Sequence, residues 1–140
     1  MRKPPEEEGR RWLAQAEEDL KHAGLIFGNG GYYLACFLCQ QIAEKAVKAF
    51  LYSAGEEMVM GHSVTELCRW AGEFDPDFGE LGKRISILDS YYVPTRYPNG
   101  LPDGIPATVY TKDAAAESLK LAELTVDLAR KKLSSGSAGE

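Results

Sequence analysis

Apolar residues recur at alternating steps of three and four along most of the chain, which is the period of an amphipathic α-helix. The first such stripe occupies 13–27 and stops at the glycine-rich turn 28–31. A second stripe occupies 32–50, and a third occupies 115–133. The pattern therefore predicts three long helices, each with one buried face.

Two shorter helices are predicted between the second and third stripes. Ser63 and Glu66 have the spacing of a capping box, in which each side chain satisfies a backbone N–H group near the other residue. A further helical pattern at 81–92 ends before Pro94, whose nitrogen carries no hydrogen. The segment 92–106 is irregular and rich in proline and glycine, and a loop of about 15 residues is long enough to indicate a functional role.

The predicted fold class is all-α, because no segment has the alternation of a strand. Three long and about two short amphipathic helices are expected to form an antiparallel helical bundle. A chain of 140 residues falls in the single-domain range, so one domain is expected. We predict the bundle at 9–133, a flexible N-terminus at 1–8 and a disordered polar tail at 134–140.

The charge balance narrows the classes of partner. A net charge of −5 provides no general basic field, so non-specific DNA binding is not expected. The apolar runs are far shorter than the roughly 20 residues of a membrane-spanning helix, and the first residues do not resemble a secretion signal. We therefore expect a cytoplasmic protein with no membrane partner.

The cysteine pattern favours reduced thiols over a metal site. The chain has 3 cysteines, an odd number that cannot pair completely within one molecule. Cys36 and Cys39 form a Cys-x-x-Cys pair, but no second ligand pair is available to complete a zinc site. We expect buried thiols, no metal and no cofactor other than a possible nucleotide ligand.

The second helix carries the first group of candidate binding residues. Gln41, Lys45 and Lys48 are spaced to share one helix face, and Glu44 stands four residues before Lys48 in the favourable order for an ion pair. One interpretation is a solvated face with an ion pair worth about 0.3–0.5 kcal/mol. The other is a polar ledge facing a groove.

The second group of candidate residues lies in the irregular segment. Arg96 and Tyr97 are held between two prolines, and a planar guanidinium beside an aromatic ring suits a phosphate and a base. The alternative is that Arg96 fastens the loop to the bundle by pairing with Asp89 or Glu44. His62, just before the Ser63 cap, is expected first to form a local hydrogen bond and secondarily to contact a ligand.

Several stretches stand in a fixed order along the chain and together resemble a known family. They are Ala16-x-x-Asp19-Leu20-x-x-Ala23, Gln40-Gln41-Ile42-Ala43-Glu44-Lys45-Ala46-Val47-Lys48-Ala49, His62-Ser63-Val64-x-x-Leu67 and Tyr92-x-x-x-Arg96-Tyr97-Pro98. This combination resembles the HEPN family, the higher eukaryotes and prokaryotes nucleotide-binding domain. The resemblance implies a helical bundle that commonly dimerises and, in bacteria and archaea, often a minimal nucleotidyltransferase partner. It also implies kinship with toxins and ribonucleases.

The HEPN nucleases resemble one another in an Arg followed by four to six residues and then a His. There the His moves protons at the RNA 2′-hydroxyl and the Arg stabilises charge on the phosphate. In this chain, positions 15–17 before His22, 55–57 before His62 and 101–103 after Arg96 all lack the required residue. The absent motif favours a protein that is not an enzyme.

Together these observations give one leading hypothesis. We expect a noncatalytic HEPN domain that binds a nucleotide or phosphate group and acts with a minimal nucleotidyltransferase in a toxin–antitoxin-like pair. The predicted contacts are Lys45, Lys48, Arg96 and Tyr97, and the predicted supporting residues are Gln41, Glu44, Asp89 and His62. The alternatives are a degenerate HEPN ribonuclease toxin, which uses Arg96 with His62 or Asp89, and a purely structural dimerisation module. Abundant tyrosines also predict a homodimer, because amphipathic aromatics are enriched in interfaces.

Overall fold

The computed structural model describes residues 3–138 and contains helices but no strand within that range. The α-helices are, in chain order, α1 Pro5–Gly28, α2 Tyr32–Ser53, α3 Val64–Gly72, α4 Pro76–Ile85, α5 Pro106–Val109 and α6 Lys112–Ala138. Two 3₁₀ turns, Ser86–Tyr91 and Pro98–Gly100, lie between α4 and α5. The predicted all-α fold is confirmed. Three of these helices are long and three are short, and α5, with 4 residues, is one short helix more than the sequence predicts. None of the described helices combines the length and apolarity needed to span a bilayer.

Helix α2 is the centre of the bundle and packs against both α1 and α6. Only residues 29–31 separate α1 from α2, so the two helices run antiparallel. The turn depends on Gly30, whose φ of 86° lies in the left-handed region that glycine adopts without strain. A Cβ atom on Gly9 would lie 2.8 Å from the Ala49 carbonyl oxygen, so this glycine lets α1 and α2 approach closely.

Small side chains fill the interfaces between the long helices, as the stripes predict. Alanines from all three are completely buried: Ala16, Ala23, Ala43, Ala46, Ala122 and Ala129. The short helices close one end, where Phe78 of α4 stacks on Phe50 of α2 with ring centroids 4.3 Å apart. A single hydrophobic core therefore runs through α1, α2, α3, α4 and α6.

The ends of the bundle extend beyond the predicted boundaries. Helix α1 begins at Pro5, within the predicted flexible segment 1–8, because a proline at the first position and the acidic residues Glu6, Glu7 and Glu8 in the first turn suit a helix start. Helix α6 continues to Ala138, within the predicted disordered tail 134–140, since no proline follows Leu133 to stop it. Residues 1–2 of the predicted flexible N-terminus and residues 139–140 of the predicted tail lie outside the described part of the chain.

The cysteines are free and buried, as expected. Burial raises the pKa of the Cys68 thiol to about 12 and also raises the pKa of Cys36 and of Cys39. Cys68 lies where α3 crosses α4. A Cβ atom added to Gly82 would lie 2.8 Å from the Cβ atom of Cys68. The thiols are therefore packing groups in close helix contacts.

Candidate functional site

The ion pair predicted on α2 forms, but it is buried. The Lys48 Nζ atom lies 3.0 Å from Glu44 Oε2, and the two side chains are only 7% and 8% exposed. The ammonium also lies 5.7 Å from the centroid of the Trp12 ring. The interpretation as a solvated face is therefore wrong, and Lys48 does not open onto a ledge.

The other polar residues of α2 make contacts within the fold. Lys45 donates to Asp19 of α1 at 2.5 Å, in a partly exposed ion pair. Gln41 donates to the Gln40 side chain at 2.7 Å, and Gln40 donates to the His62 carbonyl oxygen at 2.6 Å. Gln41, Lys45 and Lys48 therefore contact different parts of the fold, although the helical spacing predicts that they share one face.

His62 connects α2 to the loop that precedes α3. Its Nδ1 atom lies 3.1 Å from Glu44 Oε1, and its ring stacks on Tyr92 with centroids 4.9 Å apart and planes inclined by 20°. The His62 side chain is nevertheless 60% exposed. The expected local hydrogen bond is replaced by this contact with Glu44, because the loop brings His62 back over α2. The same carboxylate thus contacts Lys48 below it and His62 above it.

Arg96 is an exposed cation held by aromatic rings. Its guanidinium carbon lies 4.8 Å from the Phe37 ring centroid, 4.6 Å from that of Tyr92 and 5.3 Å from that of Tyr97. Its Nε donates to the Tyr92 carbonyl oxygen at 2.8 Å, and within residues 3–138 this is the one hydrogen bond of the side chain. The alternative pairing of Arg96 with Asp89 or Glu44 is wrong, since both carboxylates have other partners.

Asp89 caps α3 and does not orient the binding residues. Its carboxylate accepts hydrogen bonds from the backbone N–H groups of Val64 at 2.7 Å and Thr65 at 3.1 Å. It also accepts from the hydroxyls of Ser63 at 3.0 Å and Thr65 at 2.8 Å. Ser63 accepts from the Glu66 N–H, as the capping box predicts. The Glu66 carboxylate pairs with Arg69 instead of completing the box, and Asp89 accepts from the next two N–H groups, those of Val64 and Thr65.

The residues that the structure brings together form one continuous surface feature. We name it the Arg96–His62 surface and define it by Phe37, His62, Tyr92, Arg96 and Tyr97. Both His62 and Arg96 contact the Tyr92 ring, and buried Glu44 supports His62 from beneath. Sequence reasoning missed Phe37 and Tyr92, although the spacing of four residues between Tyr92 and Arg96 is a usable signal for a local contact. Within residues 3–138, no cluster of His, Cys, Asp and Glu could hold a metal ion.

The comparison with known families decides the assignment. The model of the HEPN domain matches residues 10–132, which is nearly the whole helical bundle. This chain belongs to the HEPN family. The resemblance drawn from the sequence motifs is thereby confirmed.

Three proteins are similar to this chain over most of its length. The protein named "Putative toxin MJ1304" from Methanocaldococcus jannaschii is 30% identical over 125 residues, which cover 84% of this chain and 82% of that protein. The crystal structure of TT1696 from Thermus thermophilus is similar, with 37% identity, a TM-score of 0.75, and coverage of 89% of this chain and 97% of that one. ST0689, described as an archaeal HEPN homologue, is 35% identical with a TM-score of 0.71 and the same coverage of 89% and 97%.

Proposed function

We propose that this HEPN chain is the toxin-like member of a pair with a minimal nucleotidyltransferase and that it binds a nucleotide or another phosphate group at the Arg96–His62 surface. The observation that carries the proposal is the exposed Arg96 guanidinium, stacked among aromatic rings and free of any carboxylate partner in the described part of the chain. The toxin name of the archaeal relative supports the paired role.

The environment of Arg96 suits a phosphate ligand. Contacts with the Phe37 and Tyr92 rings restrict the guanidinium, so less side-chain freedom is lost when a ligand binds. Only the Nε group is used by the backbone, which leaves the terminal N–H groups able to donate to two oxygens of one phosphate. Tyr97 is 50% exposed and offers its ring to a base beside the phosphate.

The lysines have smaller parts in this proposal than the sequence predicts. Lys48 is buried and balances the charge of Glu44, so it supports His62 through that carboxylate. Lys45 is paired with Asp19 and would have to leave that ion pair to meet a ligand. Arg96 is therefore the main cation, with His62 beside it.

Replacing Arg96 with alanine is expected to abolish stabilisation by nucleotides. Saturating ligand at 100 times its dissociation constant adds about 2.7 kcal/mol to the free energy of unfolding, and the variant loses the group that holds the phosphate. A thermal-shift titration with nucleoside mono-, di- and triphosphates, with and without magnesium, measures this. Arg96→Lys should recover only part of the shift, because an ammonium keeps the charge but lacks the planar fork.

Arg84→Ala is the matched control, since Arg84 is an exposed arginine near the end of α4 and outside the Arg96–His62 surface. It should respond to nucleotide like the wild type. Equal shifts in the wild type and Arg96→Ala would contradict the proposed site. No shift in either protein, together with lower stability of Arg96→Ala, would favour the structural dimerisation module.

RNA cleavage is a second candidate function, and one specific observation favours it. His62 and Arg96 meet at the Tyr92 ring although they are far apart in sequence, so a base and a phosphate-binding cation share one surface without the usual motif. The Nδ1 contact with Glu44 orients the imidazole and leaves Nε2 for proton transfer at a 2′-hydroxyl.

His62→Ala is expected to reduce RNA cleavage by at least about 100-fold, because it removes the proton-transfer group, and to retain RNA binding through Arg96. Cleavage of a labelled single-stranded RNA and binding of the same RNA with a non-reactive 2′-deoxy substitution separate the two effects. His22→Ala is the control, since His22 lies on the exposed side of α1. Cleavage that survives in His62→Ala would exclude this mechanism.

A further inference from the structure

The loop between α2 and α3 exposes two methionines beside His62. Met58 and Met60 are each 72% exposed, whereas Val59 between them is only 4% exposed. Methionine is among the residue types most often buried, so two thioethers in water within three positions are unusual. Neither side chain contributes to the hydrophobic core.

The alternation of burial turns both thioethers away from the core. Residues 58–61 are neither helical nor turned, and Met58 and Met60 are exposed while Val59 between them is buried. Val59 anchors the segment in the core and is held by an N–H donated to the Tyr52 hydroxyl at 3.2 Å. The chain then bends at Gly61, whose φ is 102°, directly before His62.

His62 is prepared as a ligand by its contact with Glu44. Histidines that bind metals usually direct the other ring nitrogen to a carboxylate or carbonyl, which fixes the tautomer and the ring orientation. Here Nδ1 faces Glu44 Oε1 at 3.1 Å, and the side chain remains 60% exposed through the rest of the ring. Nε2 is therefore the ring nitrogen that faces outward, and His62 follows Met60 by two residues.

We propose that Met58, Met60 and His62 bind a soft monovalent cation of the Cu(I) class through two thioether sulfurs and one imidazole nitrogen. Thioethers are soft ligands that select Cu(I) over Mg²⁺ or Ca²⁺, which require oxygen. The thiols do not provide a competing surface site, because Cys36, Cys39 and Cys68 are at most 1% exposed. His62 also belongs to the Arg96–His62 surface, but the bound metal is measured in the absence of nucleotide, so the test does not depend on the proposed function.

The test uses the full chain with Cu(I) under anaerobic reducing conditions, in competition with a coloured Cu(I) chelator. The wild type should take up one metal ion per chain. Met58→Leu/Met60→Leu, which keeps the volume but removes both sulfurs, should bind at least about tenfold more weakly, as should His62→Gln, since loss of even an outer partner costs about 10–100-fold. His22→Gln should bind like the wild type.

Methyl-labelled methionine locates the metal without relying on affinity. On addition of one equivalent of Ag(I), a redox-inert soft ion, the methyl resonances of Met58 and Met60 should both shift, and the near-ultraviolet circular dichroism should stay constant because the core is untouched. Unmoved methionine resonances would overturn the proposal. Equal affinity in the wild type and Met58→Leu/Met60→Leu would do the same.

Discussion

Lys48→Met is expected to lower the free energy of unfolding by about 3–5 kcal/mol, because it leaves the Glu44 carboxylate buried without its cation. The substitution keeps the length and apolar stem of the side chain, so little packing against Trp12 is lost. The remaining contact of Glu44 is with the exposed His62, which does not provide a permanent charge. Urea unfolding followed by far-ultraviolet circular dichroism measures the change.

The double variant Glu44→Gln/Lys48→Met shows whether Lys48→Met loses stability through the unpaired charge of Glu44 or through lost packing. Replacing both members of a buried pair removes the charge and its partner together, and such replacements are often neutral or stabilising. The double variant should therefore be more stable than Lys48→Met alone. Lys45→Met is the matched control from the same helix, and it should change stability by no more than about 1 kcal/mol because its pair with Asp19 is partly exposed. Similar losses in both single variants would contradict the buried-pair interpretation.

Asp89→Ala is expected to destabilise the protein by about 2–4 kcal/mol, since it removes the acceptor for the first N–H groups of α3. Those groups, with the Ser63 and Thr65 hydroxyls, are partly buried and lose their partners at once. Asp89→Asn keeps one carbonyl oxygen and should lose less. The free energy of unfolding from urea titration, together with amide hydrogen exchange along α3, measures the effect.

Asp103→Ala provides the comparison for Asp89, because Asp103 is exposed in the loop before α5. It should change stability by less than about 0.5 kcal/mol. If Asp89→Ala were equally mild, the capping contacts would not stabilise α3. Faster exchange confined to α3 and the adjoining 3₁₀ turn would confirm that Asp89 joins these two segments.

Much of the fold could be predicted because it depends on local patterns. The steps of three and four residues give α1, α2 and α6, and the glycine-rich turn gives the end of α1 at Gly28. The helix ends at Pro5 and Ala138 were less predictable. Polar residues at the end of a helix bury little surface, so the helix can continue or stop there at little cost in packing. The predicted homodimer stays a prediction, since it depends on a second copy of the chain.

The site was harder to predict, because its contacts depend on how distant segments meet. The sequence could indicate that Glu44 and Lys48 pair, since they are four residues apart, but not that the pair is buried. Helical spacing also could not show that Lys45 turns to α1, or that the loop carries His62 back over Glu44. Arg96 was identified from its chemistry alone, whereas its aromatic partner Phe37 comes from a helix about 60 residues earlier.

The buried cysteines allow the opening of the fold to be measured by their reaction with a thiol reagent. A thiol reagent can react with Cys68 only when α3 and α4 separate, because the contact with Gly82 leaves no space for it. Cys39 lies inside α2 and can react only when the central helix leaves the core. The labelling rates of these cysteines therefore measure two different motions, the detachment of the short helix pair and the global unfolding of the bundle, in the unmodified protein.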